Sequence, residues 1–97
     1  MESIEDHTYG WEGELLEQIA RNLVFKPDEL RVEVLRISNG PVMMRVYCPE
    51  SDIGKVIGKD GRTIDAIRSL FGAMAKGSHV RYLIDVYEPR RHKNKFL

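Results

Sequence analysis

Val56-Ile57-Gly58-Lys59-Asp60-Gly61-Arg62-Thr63-Ile64 is the stretch on which the fold turns. It sets a lysine-bearing turn, bounded by two glycines, between two apolar segments. With no side chain at Gly58 or Gly61, the main chain can approach a ligand closely and can adopt positive φ. The segment beginning at Arg62 reads as a helix, whose first N–H groups and positive dipole end face whatever the turn holds. Lys59 and Arg62 add two cations. The pattern calls for an anionic ligand, and a sugar-phosphate backbone is the natural one.

Downstream of the turn, Ile64, Ile67, Leu70, Phe71 and Met74 lie at helical spacing on one face, and Lys76-Gly77-Ser78-His79 breaks the pattern. Val80, Tyr82, Ile84 and Val86 then alternate with Arg81, Leu83, Asp85 and Tyr87 in a last strand that Pro89 ends. Upstream, Ser51 or Asp52 is placed to cap a short helix running through Ile57. Before it, Val42, Met44, Val46 and Cys48 alternate with Met43, Arg45 and Tyr47. Asn39-Gly40-Pro41 is a turn signal joining that strand to Arg31–Ser38, whose alternation changes phase between Val34 and Leu35. Such a phase change implies a bulge, or apolar contact on both faces. Leu15, Leu16, Ile19, Ala20, Leu23 and Val24 mark an amphipathic helix from Glu12 to Phe25, stopped by Pro27. The order is α-β-β-α-α-β. This predicts an α+β domain with a three-stranded mixed sheet covered on one face by three helices. Residues 1–11 read as a flexible acidic arm, 12–89 as the domain and 90–97 as a basic tail.

A chain of 97 residues holds one small domain with one core. Its formal net charge is zero, but the charge is divided: residues 1–30 sum to −6 and residues 31–97 to +6. Phosphate-binding capacity therefore sits with the glycine turn. Cys48 is the only cysteine, which excludes an internal disulfide and a thiolate metal cluster, and its apolar neighbours predict burial. No apolar run approaches the roughly 18–20 residues that cross a bilayer. The acidic N-terminus is unlike a secretory signal, so the expected location is cytoplasmic.

Enzyme chemistry finds no footing. Gly54 to Lys59 is one residue short of a nucleotide-binding P-loop, and Asp60 stands where Ser or Thr would hold magnesium. His7, His79 and His92 fall in an arm, a turn and a tail, without a nucleophile or carboxylate pair beside them. The expectation is no enzyme, no metal, no cofactor and no small-molecule substrate.

The block Asp52-Ile53-Gly54-Lys55-Val56-Ile57-Gly58-Lys59-Asp60-Gly61-Arg62-Thr63-Ile64, in that element order, resembles the signature of a type II KH domain. From about Glu14 to Glu88 the chain is similar to the small single-domain KH proteins of bacteria, the KhpA or YlqC-like family. The resemblance implies a single-stranded RNA-binding module whose loop clamps the backbone of about four unpaired nucleotides while their bases enter a narrow groove. It implies that Gly58, Lys59, Asp60 and Gly61 form the clamp, with Gly54, Lys55, Ile57, Arg62 and Ile64 as its flank and groove wall. It places the variable loop at Lys76–His79 and the opposite wall on the strand beginning at Val80. It also implies pairing, as a homodimer or with a second KH protein, and a role as an RNA chaperone or post-transcriptional regulator. Asp60 opposes a phosphate by about 1 kcal/mol if both are solvated, which predicts modest, salt-sensitive affinity.

Two other classes compete. A DNA-binding helix-turn-helix shares the two helices and glycine turn, but its second helix would offer bases only Thr63, Asp65, Arg68 and Ser69. A protein-interaction module is suggested by the small residues of Phe71-Gly72-Ala73-Met74-Ala75, which suit close helix–helix approach between two copies.

Overall fold

A computed structural model describes residues 10–90 and the backbone of residues 4–6. The strands are β1 (Ile4–Asp6), β2 (Arg31–Ile37), β3 (Val42–Tyr47) and β4 (Tyr82–Val86); the helices are α1 (Trp11–Arg21), α2 (Glu50–Ile57) and α3 (Arg62–Ser78). From α1 onward the order is α-β-β-α-α-β. β2 and β3 pair antiparallel, while β4 runs parallel to β3. The expected mixed sheet is present, and β1 adds a short fourth strand antiparallel to β2. Three residues are too few to show a period-two pattern, so this strand was not visible within the acidic arm.

One sheet face is apolar and covered. Val32, Val34, Val42, Met44, Val46, Ile84 and Val86 are buried there with Leu16, Ala20, Val56, Ile64, Ile67 and Phe71 from the helices. Phe71 meets Tyr82 edge-on, with ring centroids 5.6 Å apart. On the other face Leu35, Met43 and Leu83 share one register row, and Glu33, Arg45 and Asp85 the next. The phase change in β2 is thus apolar contact on both faces: Val34 and Leu35 are both buried, and the β2–β3 register runs without interruption. Tyr47 stacks on Tyr87 at 5.1 Å and carries the Arg31 guanidinium 4.0 Å from its ring centroid.

Several element ends differ from the sequence reading for physical reasons. α1 stops at Arg21, four residues before Phe25, because the N–H groups of Phe25 and Lys26 donate to the Asp52 carboxylate, each at 3.0 Å. Asp52 therefore does not cap α2; Pro49 occupies the cap position. α3 continues through Lys76 and Gly77 to Ser78, whose hydroxyl donates to the Met74 carbonyl, and ends where His79 turns left-handed at φ 61°. Leu70, expected in the core, is half exposed, since Ile67 and Phe71 take the buried face one residue round the helix.

A buried ionic link ties α1 to the sheet. Arg36 Nη2 lies 2.6 Å from Glu12 Oε1, and the Tyr82 hydroxyl donates to Glu12 Oε2 at 3.3 Å. Burial alone would raise the Glu12 carboxyl, but the Arg36 hydrogen bond and charge, its own backbone N–H and Tyr82 together hold it below its ordinary 4.5. Lowered in the folded chain, it contributes stability that is complete above pH 4.5 and is lost as pH falls through the folded value. Glu12→Gln is expected to cost about 2 kcal/mol near neutrality. In urea titrations the gap between the variant and the natural chain should close on acidification below pH 4.5.

Candidate nucleic-acid interface

α2 and α3 are joined by a single tight turn. The Gly58 N–H closes α2 onto the Gly54 carbonyl at 2.8 Å, and the Gly61 N–H returns to the Gly58 carbonyl at 3.1 Å. Gly58 lies at φ 81°, ψ 171°, Asp60 at φ 56° and Gly61 at φ 76°, so the chain reverses within three left-handed or extended-positive residues. A Cβ on Gly58 would sit 2.1 Å from Thr63 Oγ1 and 2.8 Å from the Thr63 nitrogen. At Gly61 a Cβ would meet nothing within 4 Å, and only its φ favours glycine. Asp60 is a residue type that tolerates the left-handed region, and its side chain is exposed. The N–H groups of Gly61 and Arg62 both turn inward, onto the Gly58 and Lys59 carbonyls, so the bend is held closed by its own main chain. No side chain caps the first turn of the seventeen-residue α3 behind it, so the dipole end stays open.

Beside the turn runs a groove between the helices and β4. Its first part, about 110 Å3, is lined by Ile57, Ile64, Arg68, Asp85, Val86 and Glu88. Glu88 also belongs to the second part, about 300 Å3, with Glu50, Ile53, Gly54, Pro89 and Arg90. The Tyr87 N–H donates to the Val46 carbonyl, so the main-chain groups of Ile84 and Val86 point the other way, toward the groove. Arg68 Nε donates to the Ile84 carbonyl at 3.0 Å, and Asp85 Oδ1 accepts the Val86 N–H at 2.8 Å. The groove thus has an apolar helical wall, a polar strand wall and carboxylates along the strand side.

A family model described as KhpA/KhpB, KH domain, matches residues 13–86. The chain belongs to that family. Among KhpA relatives, the RNA-binding protein KhpA of Chlamydia trachomatis is 38% identical over 77 residues, which cover 79% of this chain and 97% of that protein. The RNA-binding protein KhpA of Borreliella burgdorferi is 38% identical over 80 residues, 82% of this chain and 96% of that one. That of Treponema pallidum is 38% identical over 77 residues, 79% and 95%. No solved structure matches the chain.

Within this KhpA/KhpB fold the sequence-derived positions fall into three places. Gly58, Lys59, Asp60 and Gly61 make the turn, with Lys59 exposed and Arg62 exposed at the start of α3. Gly54, Ile57 and Ile64 line the groove. Lys55 leaves it: its Nζ stands 4.5 Å from the centroid of the Phe25 ring, on the flank of α2. The variable loop assigned to Lys76–His79 is mostly the last turn of α3, and β4 begins at Tyr82 rather than Val80. Sequence reasoning missed Ile53, Arg68 and Glu88 as groove residues. Ile53 and Arg68 were within reach, lying one helical turn from Ile57 and Ile64.

Cys48 is half-buried; burial first, then the Asp52 charge, pushes its thiol up to about 11. Among the described residues no group of three His, Cys, Asp or Glu is placed to hold a metal ion, and no helix is long and apolar enough to cross a membrane. His7 and His92 lie outside the described residues, as does the tail after Arg90.

Proposed function

We propose that this chain is a non-catalytic protein that binds single-stranded RNA, gripping the backbone of an unpaired segment with the Gly58–Gly61 turn. The observation that carries the reading is the turn itself: a tight glycine bend that sets exposed Lys59 and Arg62 and a helix N-terminus without a side-chain cap beside an apolar groove. Lys59 and Arg62 supply charge to the phosphates, while Gly54, Ile57 and Ile64 give the bases an apolar surface. The names of the KhpA relatives support the choice of RNA. A helix-turn-helix reading is weakened by Arg68, the one cation on the middle of α3, because it is folded back onto Ile84 and Asp65.

The assembly proposed is a homodimer, or a pair with a second KH protein, working in the cytoplasm as an RNA chaperone or post-transcriptional regulator. Ala66, Leu70, Ala73 and Gly77 lie exposed along one flank of α3, at spacing that admits a second helix closely.

Lys59→Asp tests the clamp, because the side chain is exposed and the fold does not depend on it. The expected result is a loss of RNA affinity of at least tenfold by fluorescence anisotropy, with an unchanged melting curve and unchanged sedimentation. Unpaired RNA should outcompete duplex DNA at matched salt. Unaltered RNA affinity in the variant would instead favour a protein-interaction module with incidental RNA contacts.

A further inference from the structure

Phe25 is the most exposed large apolar side chain among the described residues, at 74%, yet its position is fixed from two sides. Its N–H and that of Lys26 are held by the fully buried Asp52 carboxylate. Lys55 Nζ lies 4.5 Å from its ring centroid. An aromatic ring left in water contributes nothing to folding through burial, so the anchored main chain holds out a ring that the core does not use. Lys55 directly follows Gly54, a groove residue, on α2, which ends at Ile57 where Gly58 opens the turn. The ring therefore stands on the flank of the helix that leads into the turn.

We infer that Phe25, flanked by Lys26 and Lys55, is a stacking platform for an unpaired base of the same RNA, beyond the nucleotides held by the Gly58–Gly61 turn. The inference rests on the RNA-binding reading and extends its site. An exposed ring between cations is the pattern that binds single strands without regard to sequence: the ring takes the base and the cations take the phosphate. Asp28 and Glu29 follow in the next turn, which puts the phosphate on the Lys55 side. A protein partner fits less well, because lysines are depleted at the centre of protein interfaces and a lone ring makes no contiguous apolar patch.

The test uses random-sequence, fluorescein-labelled RNA of four and ten nucleotides, with Phe25→Ala and Phe25→Trp in the full chain. Phe25→Ala should weaken binding of the ten-nucleotide RNA about tenfold, within the range of one base–aromatic stack, and leave the four-nucleotide RNA unaffected. Phe25→Trp should retain affinity and show quenching on the longer RNA beyond that of the natural chain, whose Trp11 is the control. Unchanged binding of the ten-nucleotide RNA by Phe25→Ala, or equal weakening of both lengths, overturns the platform. So does an altered sedimentation coefficient without RNA, which would assign the ring to a protein contact. If the natural chain binds neither RNA, the RNA-binding reading falls and the platform with it. If it binds both and Phe25→Ala is unaffected, the platform falls alone.

Discussion

Asp52→Ala should lower the stability of this domain by about 3 kcal/mol, which for a chain of this size is a fall in melting temperature of about 15 °C. The carboxylate is fully buried, and both of its oxygens are used: Oδ1 accepts the Phe25 N–H and Oδ2 the Lys26 N–H. These two donors lie where α1 has ended and no strand has begun, so they have no regular ladder to fall back on. Removing an acceptor from beneath part-buried donors costs the desolvation of each, on top of the charge-assisted bonds themselves. Asp52→Asn separates the contributions. Its amide oxygen accepts one N–H while its NH2 faces the other, so its stability should fall between those of the natural chain and the alanine variant. Cys48 supplies an independent readout. Part of what pushes its thiol up to about 11 is the Asp52 charge; in the asparagine variant the thiol should titrate lower and react faster with a thiol reagent at pH 9. A melting temperature unchanged by Asp52→Ala would show that the connection after α1 is held by other contacts.

Gly58→Ala should be the most damaging single change at the turn, and far worse than Gly61→Ala. At φ 81° and ψ 171° Gly58 occupies a region that is almost exclusive to glycine. Its would-be Cβ also meets the Thr63 nitrogen at 2.8 Å, a main-chain atom that a change of rotamer cannot move. The chain must then either carry roughly 2–3 kcal/mol of strain or open the turn. Opening it displaces Lys59 and the start of α3, which the turn positions, and RNA affinity is expected to fall by about a hundredfold. Gly61→Ala has open space for its methyl group and bears only the left-handed cost, about 1 kcal/mol, so most binding should survive. Chemical denaturation and anisotropy on the two variants measure both quantities. Equal losses at the two glycines would mean that contact with Thr63 does not shape the turn.

The sequence disclosed what depends on neighbours in the chain. Alternation at Val42, Met44 and Val46 is a local signal, as is the helical spacing of Ile64, Ile67 and Phe71, and each of these residues is buried on the core side of its element. The run from Val56 to Ile64 was specific enough to anticipate both the family and the position of the turn. Contacts between distant residues were not legible. The early end of α1 is set by Asp52, 27 residues beyond Phe25, and no property of Leu23 or Val24 announces it. Lys55 was read by its charge and adjacency to Gly54, but its partner is a ring on another segment. Arg68 looked like a surface cation because its hydrogen bond to Ile84 exists only once β4 has docked. Charge and periodicity say which side chains are available; the packed chain decides where each is spent.

β4 is the last strand of the sheet and only five residues long. An outermost strand usually invites a neighbouring chain to continue the sheet, which is how fibres and swapped aggregates begin. Here the outward carbonyl of Ile84 and the outward N–H of Val86 are already engaged by the chain's own Arg68 and Asp85. A foreign strand would have to expel both before it could add to that margin. Its own side chains thus seal this border of the sheet against extension by another chain.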